Sequence, residues 1–184
     1  RLRNQALSQA QLAGPFAGSV VQNIGTLNGF FAGVNARDFY VRVRFQNPYP
    51  AYEHLWDVGI AFRHTAPDEH YRLVVRSDGT WLLANGAAPA EFFGPVPGLR
   101  TGPGQLNIIE MAVIGTTGYL AINGSFITTL DLSARLDAGD VWVGSGFYSD
   151  NAIQGVETLF DSFVVWPLGE SIPTATPEAS PSAE

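Results

Sequence analysis

Arginine is unevenly distributed along this 184-residue chain, and its distribution suggests a ligand-binding chemistry. Residues 37–76 contain six of the ten arginines against five acidic residues, whereas residues 77–184 contain two arginines against twelve acidic residues. A guanidinium group binds a carboxylate or a sulfate through two parallel hydrogen bonds, and aromatic rings stack on the faces of sugars. An arginine-rich surface that also carries aromatic residues is therefore typical of a site for an acidic carbohydrate.

The elements that would position these arginines are three runs of alternating apolar and polar residues. Residues 38–46, 55–64 and 70–76 each alternate with the period of a β-strand. If these strands lie together in the concave sheet of a sandwich, their polar positions form one face that lines a groove. The predicted ligand-binding residues on that face are Tyr40, Arg42, Arg44, Arg63, Arg72 and Arg76. The alternative is that these arginines pair across strands with Asp57, Glu110 or the acidic residues of the tail and only solvate an exposed face.

Two groups of residues have side chains that could hold a metal ion. His64 and His70 flank a short loop that contains Asp68 and Glu69, and His54 lies nearby in sequence. Oxygen ligands for Ca²⁺ could come from Asp137, Asp140, Asp150 and Asn151. The histidines can equally be exposed loop residues. The aspartates and Asn151 can equally have turn or capping roles, and their spacing is not that of an EF-hand. The prediction is that the protein binds no metal and no other cofactor, with Ca²⁺ as the alternative.

The carboxylates suggest no catalytic pair. Glycoside hydrolysis requires two carboxyl groups about 5 to 9 Å apart. Glu53 and Asp57 are separated by three residues that follow a proline-rich turn, and Glu110 is the only acidic residue in its predicted strand. Strand geometry brings no two of these carboxylates together, so the sequence predicts that this protein is not an enzyme.

The rest of the chain favours a single all-β domain. Hydrophobic residues make up 46% of the sequence, and 20 glycines with 12 prolines indicate many turns. Asn123-Gly124 predicts a tight hairpin, and the segment 85–104, rich in glycine and proline, predicts a long loop. Further strands are predicted at residues 80–84, 105–114, 119–122, 125–132, 140–148 and 156–166, with short edge strands at residues 19–24 and 30–34.

Charge and composition also limit the partners and the location. The net charge of −7 disfavours binding to the phosphate backbones of nucleic acids and to anionic lipid headgroups. There is no cysteine and no run of 18 apolar residues, so we predict neither disulfides nor insertion into a membrane. Residues 169–184 (GESIPTATPEASPSAE) have the composition of a linker that tethers an exported domain. We therefore expect an extracellular or cell-surface location.

Several segments resemble concanavalin A-like jelly rolls, and together they span residues 14–168. Residues 105–132 contain a strand, a glycine turn, a strand ending in Ile-Asn-Gly and a strand ending in Leu-Asp-Leu, which resembles the unit shared by laminin-G-like and 3-keto-disaccharide-hydrolase-type domains. The sequence FDSFVVW at residues 160–166 resembles the closing strand of that superfamily.

The resemblance extends to a bacterial group of the superfamily. AGVNARDFYVRVRFQNPYP, WDVGIAFRH, HYRLVVRSDGTW and GDVWVGSGFYS resemble an extracellular module of no assigned activity that occurs beside signalling and surface proteins of filamentous phototrophic and related bacteria. Laminarinase-type glycosidases of this superfamily share an E-x-D-x-x-E strand, which this sequence lacks. The resemblance therefore implies a fold and not a reaction.

The predicted fold is a single two-sheet jelly-roll β-sandwich of about 10 to 12 strands. It occupies residues 14–168, after an N-terminal arm at residues 1–13 and before a disordered tail or linker at residues 169–184. The predicted core comprises Phe39, Val41, Val43, Phe45, Ile60, Phe62, Leu73, Val75, Ile109, Met111, Val113, Leu120, Ile122, Phe163 and Val165.

The leading functional hypothesis is a non-catalytic extracellular recognition module that binds a polysaccharide or glycan through the arginine-bearing concave face. The alternative is a structural subunit of a surface layer, a filament or a larger extracellular complex, which assembles with itself or with other surface proteins. In that case residues 1–36 or the tail would add to the sheet edge of a neighbour. A sugar hydrolase is a third interpretation, which depends on fold analogy alone.

Overall fold

In the computed structural model, which describes residues 1–169, the chain forms twelve β-strands, one short α-helix and one 3₁₀ turn. The helix is α1 (Leu2–Leu7), and the 3₁₀ turn covers Ser149–Asn151. The strands are β1 (Ala13–Val21), β2 (Gly29–Phe31), β3 (Phe39–Gln46), β4 (Asp57–Ala66), β5 (Glu69–Arg76), β6 (Thr80–Asn85), β7 (Phe92–Pro95), β8 (Leu106–Ile114), β9 (Thr117–Ile122), β10 (Ser125–Asp131), β11 (Asp140–Ser145) and β12 (Glu157–Pro167).

The strands form two antiparallel sheets of six. The first sheet has the order β1-β12-β3-β8-β9-β10, and the second sheet has the order β2-β11-β4-β5-β6-β7. The chain crosses between sheets after β1, β2, β3, β7, β10 and β11, while β4 to β7 and β8 to β10 follow one another as hairpins. The predicted two-sheet jelly-roll β-sandwich is confirmed.

The core lies between the sheets and follows from the alternation of each strand. Every residue of the predicted core is at most 1% exposed and belongs to one buried cluster. In β3 the apolar residues from Phe39 to Phe45 point inwards, and Tyr40, Arg42 and Arg44 point outwards. Alternation therefore identifies the buried side of each strand correctly.

The N-terminal arm adds a small apolar cluster on the outside of the first sheet. Ala6 of α1 is fully buried, and partly buried Leu2 packs against the same cluster. The buried residues that pack with Ala6 are Tyr40, Ala112, Val164, Trp166 and Leu168. The helix thus covers the outer face of β3, β8 and β12.

Strand positions differ from the sequence-based expectation at two points. The first is β1, which begins at Ala13 and not near residue 19 as expected, although β1 and β2 both lie at sheet edges as predicted. The segment 85–104 is not a continuous loop, because Phe92–Pro95 pairs with β6 as an added edge strand. Two prolines next to Phe92–Pro95 concealed its strand character. The predicted disorder of the tail concerns residues that lie, apart from Gly169, outside the described part of the chain.

Candidate functional site

The predicted arginine face is divided between opposite outer surfaces of the sandwich. β3, which carries Tyr40, Arg42 and Arg44, belongs to the first sheet, whereas β4 and β5, which carry Arg63, Arg72 and Arg76, belong to the second sheet. The expectation that the six residues line one groove is wrong. The chain leaves the first sheet after β3 and enters the second sheet at β4. The outward side chains of β3 therefore point in the opposite direction to those of β4 and β5.

The members on the first sheet are engaged by carboxylates. The Tyr40 hydroxyl donates a hydrogen bond of 2.6 Å to Glu110 Oε1, and Arg42 Nε lies 3.7 Å from the same oxygen. Arg44 binds Asp161 with both Nε and Nη2, at 2.8 and 2.7 Å. The Glu110 contacts match the cross-strand pairing that was the alternative to ligand binding, whereas Asp161 is a partner that the sequence had not suggested.

Arg63 is a structural residue inside one end of the sandwich. Its φ of 51° interrupts the alternation of β4, and its side chain is fully buried. The guanidinium donates to three backbone carbonyls, those of Arg37, Gly115 and Arg135. Burial lowers the pKa of Arg63, and the Asp38 carboxylate at 3.7 Å acts in the opposite direction.

Arg72 and Arg76 lie on the outer face of the second sheet and differ in their partners. Arg76 Nη2 forms an ion pair of 3.0 Å with Asp78. Arg72 has no ion pair and donates no hydrogen bond within residues 1–169. Burial raises the pKa of Tyr148, and the positive charges of Arg72 and Arg76 close to it act against that rise. Among the six predicted site residues, Arg72 is the one whose side chain forms neither an ion pair nor a hydrogen bond within residues 1–169.

Aromatic rings lie on the same outer face as Arg72, where a row of glycines leaves room for them. Gly29, Gly144 and Gly59 are consecutive partners across β2, β11 and β4. A Cβ on Gly29 would overlap the Trp142 ring, and a Cβ on Gly144 would lie 2.9 Å from Trp142 and 3.0 Å from Phe147. Because these positions lack side chains, Trp142 and Phe147 pack against the strand backbones with their ring centroids 5.7 Å apart and nearly parallel.

Two histidines and a phenylalanine complete this cluster, which we call the second-sheet face. It consists of Phe31, His64, His70, Arg72, Trp142 and Phe147. The Phe31 ring lies 5.5 Å from that of Trp142 and 5.4 Å from that of His64, and the His64 and His70 rings are 5.4 Å apart. In the pairing register, Phe31, Trp142, Ala61 and Arg72 follow one another across four strands.

The second-sheet face also concentrates polar atoms that lack partners. Both ring nitrogens of His70, Nε of Arg72 and Nε1 of Trp142 are buried without a hydrogen bond within the described residues. Burial lowers the pKa of His70 to about 4, with His64 and Arg72 contributing in the same direction, so the ring is neutral at pH 7. Buried polar groups are usually hydrogen-bonded in native proteins, so these nitrogens are candidate hydrogen-bonding groups for a ligand.

A buried carboxylate holds the loop that carries Phe147. Asp57 is fully buried and accepts hydrogen bonds from the backbone N–H groups of Phe147 and Tyr148, at 2.7 and 3.2 Å, and from the Asn151 side chain at 3.1 Å. Burial raises the pKa of Asp57, while these three donors act to lower it. Asp57 therefore fixes the chain that follows β11. One alternative had suggested an ion pair between Asp57 and an arginine, and none forms within residues 1–169.

The residues considered as metal ligands fall into separate places. His64 and His70 are adjacent, but His54 packs against Tyr49 instead. Asp140 accepts hydrogen bonds from the N–H groups of Val34 and Val141, and Asn151 binds Asp57. Residues 1–169 contain no group of three or more His, Asp or Glu side chains placed to hold a metal ion. In the same residues, no helix has the length and apolarity needed to cross a bilayer.

Sequence reasoning had missed three aromatic members of this surface, Phe31, Trp142 and Phe147. Alternation alone did not show whether Trp142 faces the core or the outside. Phe147 follows the end of β11, so alternation along that strand does not apply to it. The signal that identifies them is the set of glycines at outward strand positions, since a glycine inside a strand commonly marks a close approach by another group.

Comparison with known proteins identifies the fold. No protein-family model and no curated protein sequence matches this chain. The carbohydrate-binding module CBM66 from Bacillus subtilis superposes with a TM-score of 0.55 at 10% identity, over 81% of this chain and 95% of that chain. The chain has the concanavalin A-like jelly-roll fold.

Two fungal enzymes contain the same jelly roll as a part of a longer chain. A fructosyltransferase from A. japonicus matches 82% of this chain with a TM-score of 0.54 at 10% identity, and the match spans 26% of the enzyme. A β-fructofuranosidase from Aspergillus kawachii matches 83% of this chain with a TM-score of 0.52 at 10% identity, over 28% of the enzyme. At this identity the likeness concerns the fold of the jelly roll.

Proposed function

We propose that this protein is a non-catalytic carbohydrate-recognition module and that the second-sheet face binds the sugar. The observation that carries the proposal is the concentration of unpartnered ring and guanidinium nitrogens of Arg72, Trp142 and His70 on the face that also carries the exposed ring of Phe31. Carbohydrates offer hydroxyl groups that accept such hydrogen bonds and apolar ring faces that pack on aromatic side chains.

The arrangement suggests how a sugar would be held. Phe31 is 47% exposed and lies on the three-residue edge strand β2, so its side chain can move aside with little cost to the core. That movement opens access to Trp142 and His64. Arg72, two strands away from Trp142, then meets the hydroxyls or a carboxylate at the other end of the ring.

The fold and the tail composition support this proposal. CBM66, a carbohydrate-binding module, has the same fold over almost its full length. Residues 169–184 are rich in Pro, Thr and Ser, a composition that suits a tether between an exported domain and its attachment. We propose that the module acts outside the cell or at its surface.

The test is a binding screen of the purified chain against a panel of polysaccharides, followed by two arginine variants. Arg72→Ala is expected to weaken binding of the best ligand by about 1.5 to 3 kcal/mol, because charge-assisted hydrogen bonds are lost. Arg72→Lys should restore only part of the loss, since a point charge lacks the planar fork. Arg100→Ala, an exposed arginine that binds the Leu106 carbonyl, is the matched control and should bind as wild type.

Two results would contradict this assignment. Wild-type affinity in Arg72→Ala would remove the second-sheet face from the site. A loss of binding in Arg44→Ala, with Arg72→Ala unaffected, would instead place the ligand on the first sheet. Circular dichroism of each variant establishes that the fold is retained.

The structural-subunit alternative is favoured by one observation at the open side of the sandwich. The edge strands β7 and β10 flank a groove of about 320 Å³, and Phe93 and Phe126 beside it are 72% and 64% exposed. β10 has no charged residue before Asp131, so it lacks the charges that commonly protect sheet edges. Analytical ultracentrifugation over a wide concentration range tests this role, and Phe93→Arg should abolish any assembly that is found.

A further inference from the structure

A second groove lies on the outer face of the first sheet, opposite to the second-sheet face. It has a volume of about 460 Å³, which is within the usual range for small-ligand sites. Arg1 and the first residues of α1, Leu2 and Arg3, form one wall, and the exposed rings of Tyr119 and Phe126 contribute to the other. Its floor includes Tyr40, Glu110, Ala112 and Ala121.

The pairing register sets the width of this groove. Phe126 pairs with Ala121, and Ala121 pairs with Glu110, so a methyl group lies between an exposed aromatic ring and a carboxylate. Two strand spacings separate Phe126 from Glu110, which is roughly 10 Å. A single pyranose ring with its substituents bridges that distance when it lies over Ala121.

The charges of this groove are opposite in sign to those of the whole protein. Arg3 and Arg42 form ion pairs with Glu110, and Arg1 lines the same groove, so three positive charges lie near one negative charge, whereas the chain carries a net charge of −7. Arg3 Nε lies 3.4 Å from Glu110 Oε1, and its side chain is 60% exposed. Its terminal nitrogens form no hydrogen bond within residues 1–169 and face the solvent. The groove is therefore a local site for an anionic group.

Glu110 gives the groove an acceptor as well. The hydrogen bond from Tyr40 and the ion pairs with Arg3 and Arg42 all involve Oε1. Oε2 accepts no hydrogen bond in the described part of the chain. Burial and the bond to Glu110 raise the pKa of Tyr40, so the phenol keeps its proton and remains a donor to Oε1. A ligand with hydroxyl groups can donate to Oε2, whereas an acidic peptide side chain there would be repelled.

We propose that this groove is a second ligand site and that it binds a uronate unit of an acidic polysaccharide. The uronate carboxylate pairs with Arg3, with Arg1 beside it, a hydroxyl group donates to Glu110 Oε2, and the ring face packs on Phe126. The site is independent of the second-sheet face, because the two lie on opposite sides of the sandwich.

The test uses the full chain and two probes, trigalacturonate and its methyl ester, measured by isothermal titration calorimetry. The ester keeps the rings and most hydroxyls but removes the negative charges. We expect trigalacturonate to bind at least about tenfold more tightly than the ester, since charge-assisted hydrogen bonds are roughly twice as strong as neutral ones. Arg3→Ala should lower the affinity for the acid to that for the ester, and Phe126→Ala should weaken both probes equally.

Matched variants separate this site from its alternatives. Arg37→Ala removes an exposed arginine outside the groove and should bind as wild type, as should Arg72→Ala on the other sheet. Equal affinity for the acid and the ester, or wild-type affinity in Arg3→Ala, would overturn the proposal. Binding of tetraglutamate with the same affinity and the same dependence on Arg3 would also overturn it, since the groove would then be a peptide site. Loss of trigalacturonate binding in Arg72→Ala alone would overturn it while leaving the proposed function intact.

Discussion

Arg63 offers the sharpest test of the structural account, because the sequence places it in a binding face and the structure places it inside the sandwich. We consider Arg63→Ala. The substitution removes a fully buried side chain whose guanidinium binds the carbonyls of Gly115 and Arg135 at 2.6 Å each and that of Arg37 at 3.1 Å. These carbonyls belong to three different connections, which Arg63 holds together.

The expected loss follows from these contacts. Hydrogen bonds to a charged group contribute about 1.5 to 3 kcal/mol each, and the two shortest alone suggest about 3 to 6 kcal/mol. Water that enters the vacated space will hydrate part of the exposed carbonyls, so we expect a decrease of about 3 to 5 kcal/mol in the free energy of unfolding. That is a large part of the stability of a typical domain, about 5 to 15 kcal/mol.

Urea denaturation followed by tryptophan fluorescence measures this change. Arg63→Lys should recover less than half of the loss, because one ammonium group cannot reach three carbonyls in different directions. Arg37→Ala is the control, since its side chain is exposed, and it should change the free energy of unfolding by less than about 0.5 kcal/mol. If Arg63→Ala or Arg63→Lys unfolds as wild type with an unchanged slope, the buried arginine does not stabilise this end of the sandwich.

Two further predictions concern pH and the tail. The pKa of His70 is lowered from 6.5 to about 4 in the folded protein, so the unfolded chain binds a proton first as the pH falls below about 6.5. Stability should therefore decrease between pH 6.5 and pH 4, by about 2 kcal/mol at pH 5, and urea titrations of His70→Gln should lack this component. Truncation after Leu168 should leave the melting temperature unchanged, because residues 169–184 offer no apolar pattern to bury; a lower melting temperature by differential scanning calorimetry would show that the tail is docked.

Local sequence patterns were sufficient for the core and for most of the strands, although not for β7. Period-two alternation identified the buried side of β3, β4, β5 and β8, and all fifteen residues expected in the core are buried. The Asn-Gly signal also located a turn correctly, since Asn123 has a φ of 52° and Gly124 a φ of 82°. These features depend on neighbours in sequence, so a single chain carries enough information to predict them.

The positions of the four tryptophans could not be predicted from local sequence patterns. Trp56 and Trp81 lie in the core, whereas Trp166 packs beneath α1 and Trp142 packs on the second-sheet face. Which of these environments a large aromatic residue enters depends on the glycines and the helix that the fold brings beside it. The candidate site on the second sheet could therefore be recognised only after β2, β4 and β11 were seen as neighbours.

Alternation along each strand was enough to predict which residues face inwards, and hence that Arg42, Arg44, Arg72 and Arg76 face away from the core. The fold was needed to show that Arg42 and Arg44 lie on the opposite outer surface from Arg72 and Arg76, because the chain crosses to the other sheet between β3 and β4. Alternation reports the direction of a side chain relative to its own strand, and it carries no information on the sheet that the strand joins. Arg63 does not follow the alternation of its strand. Its left-handed backbone turns the side chain towards the carbonyls of loops that are distant in sequence.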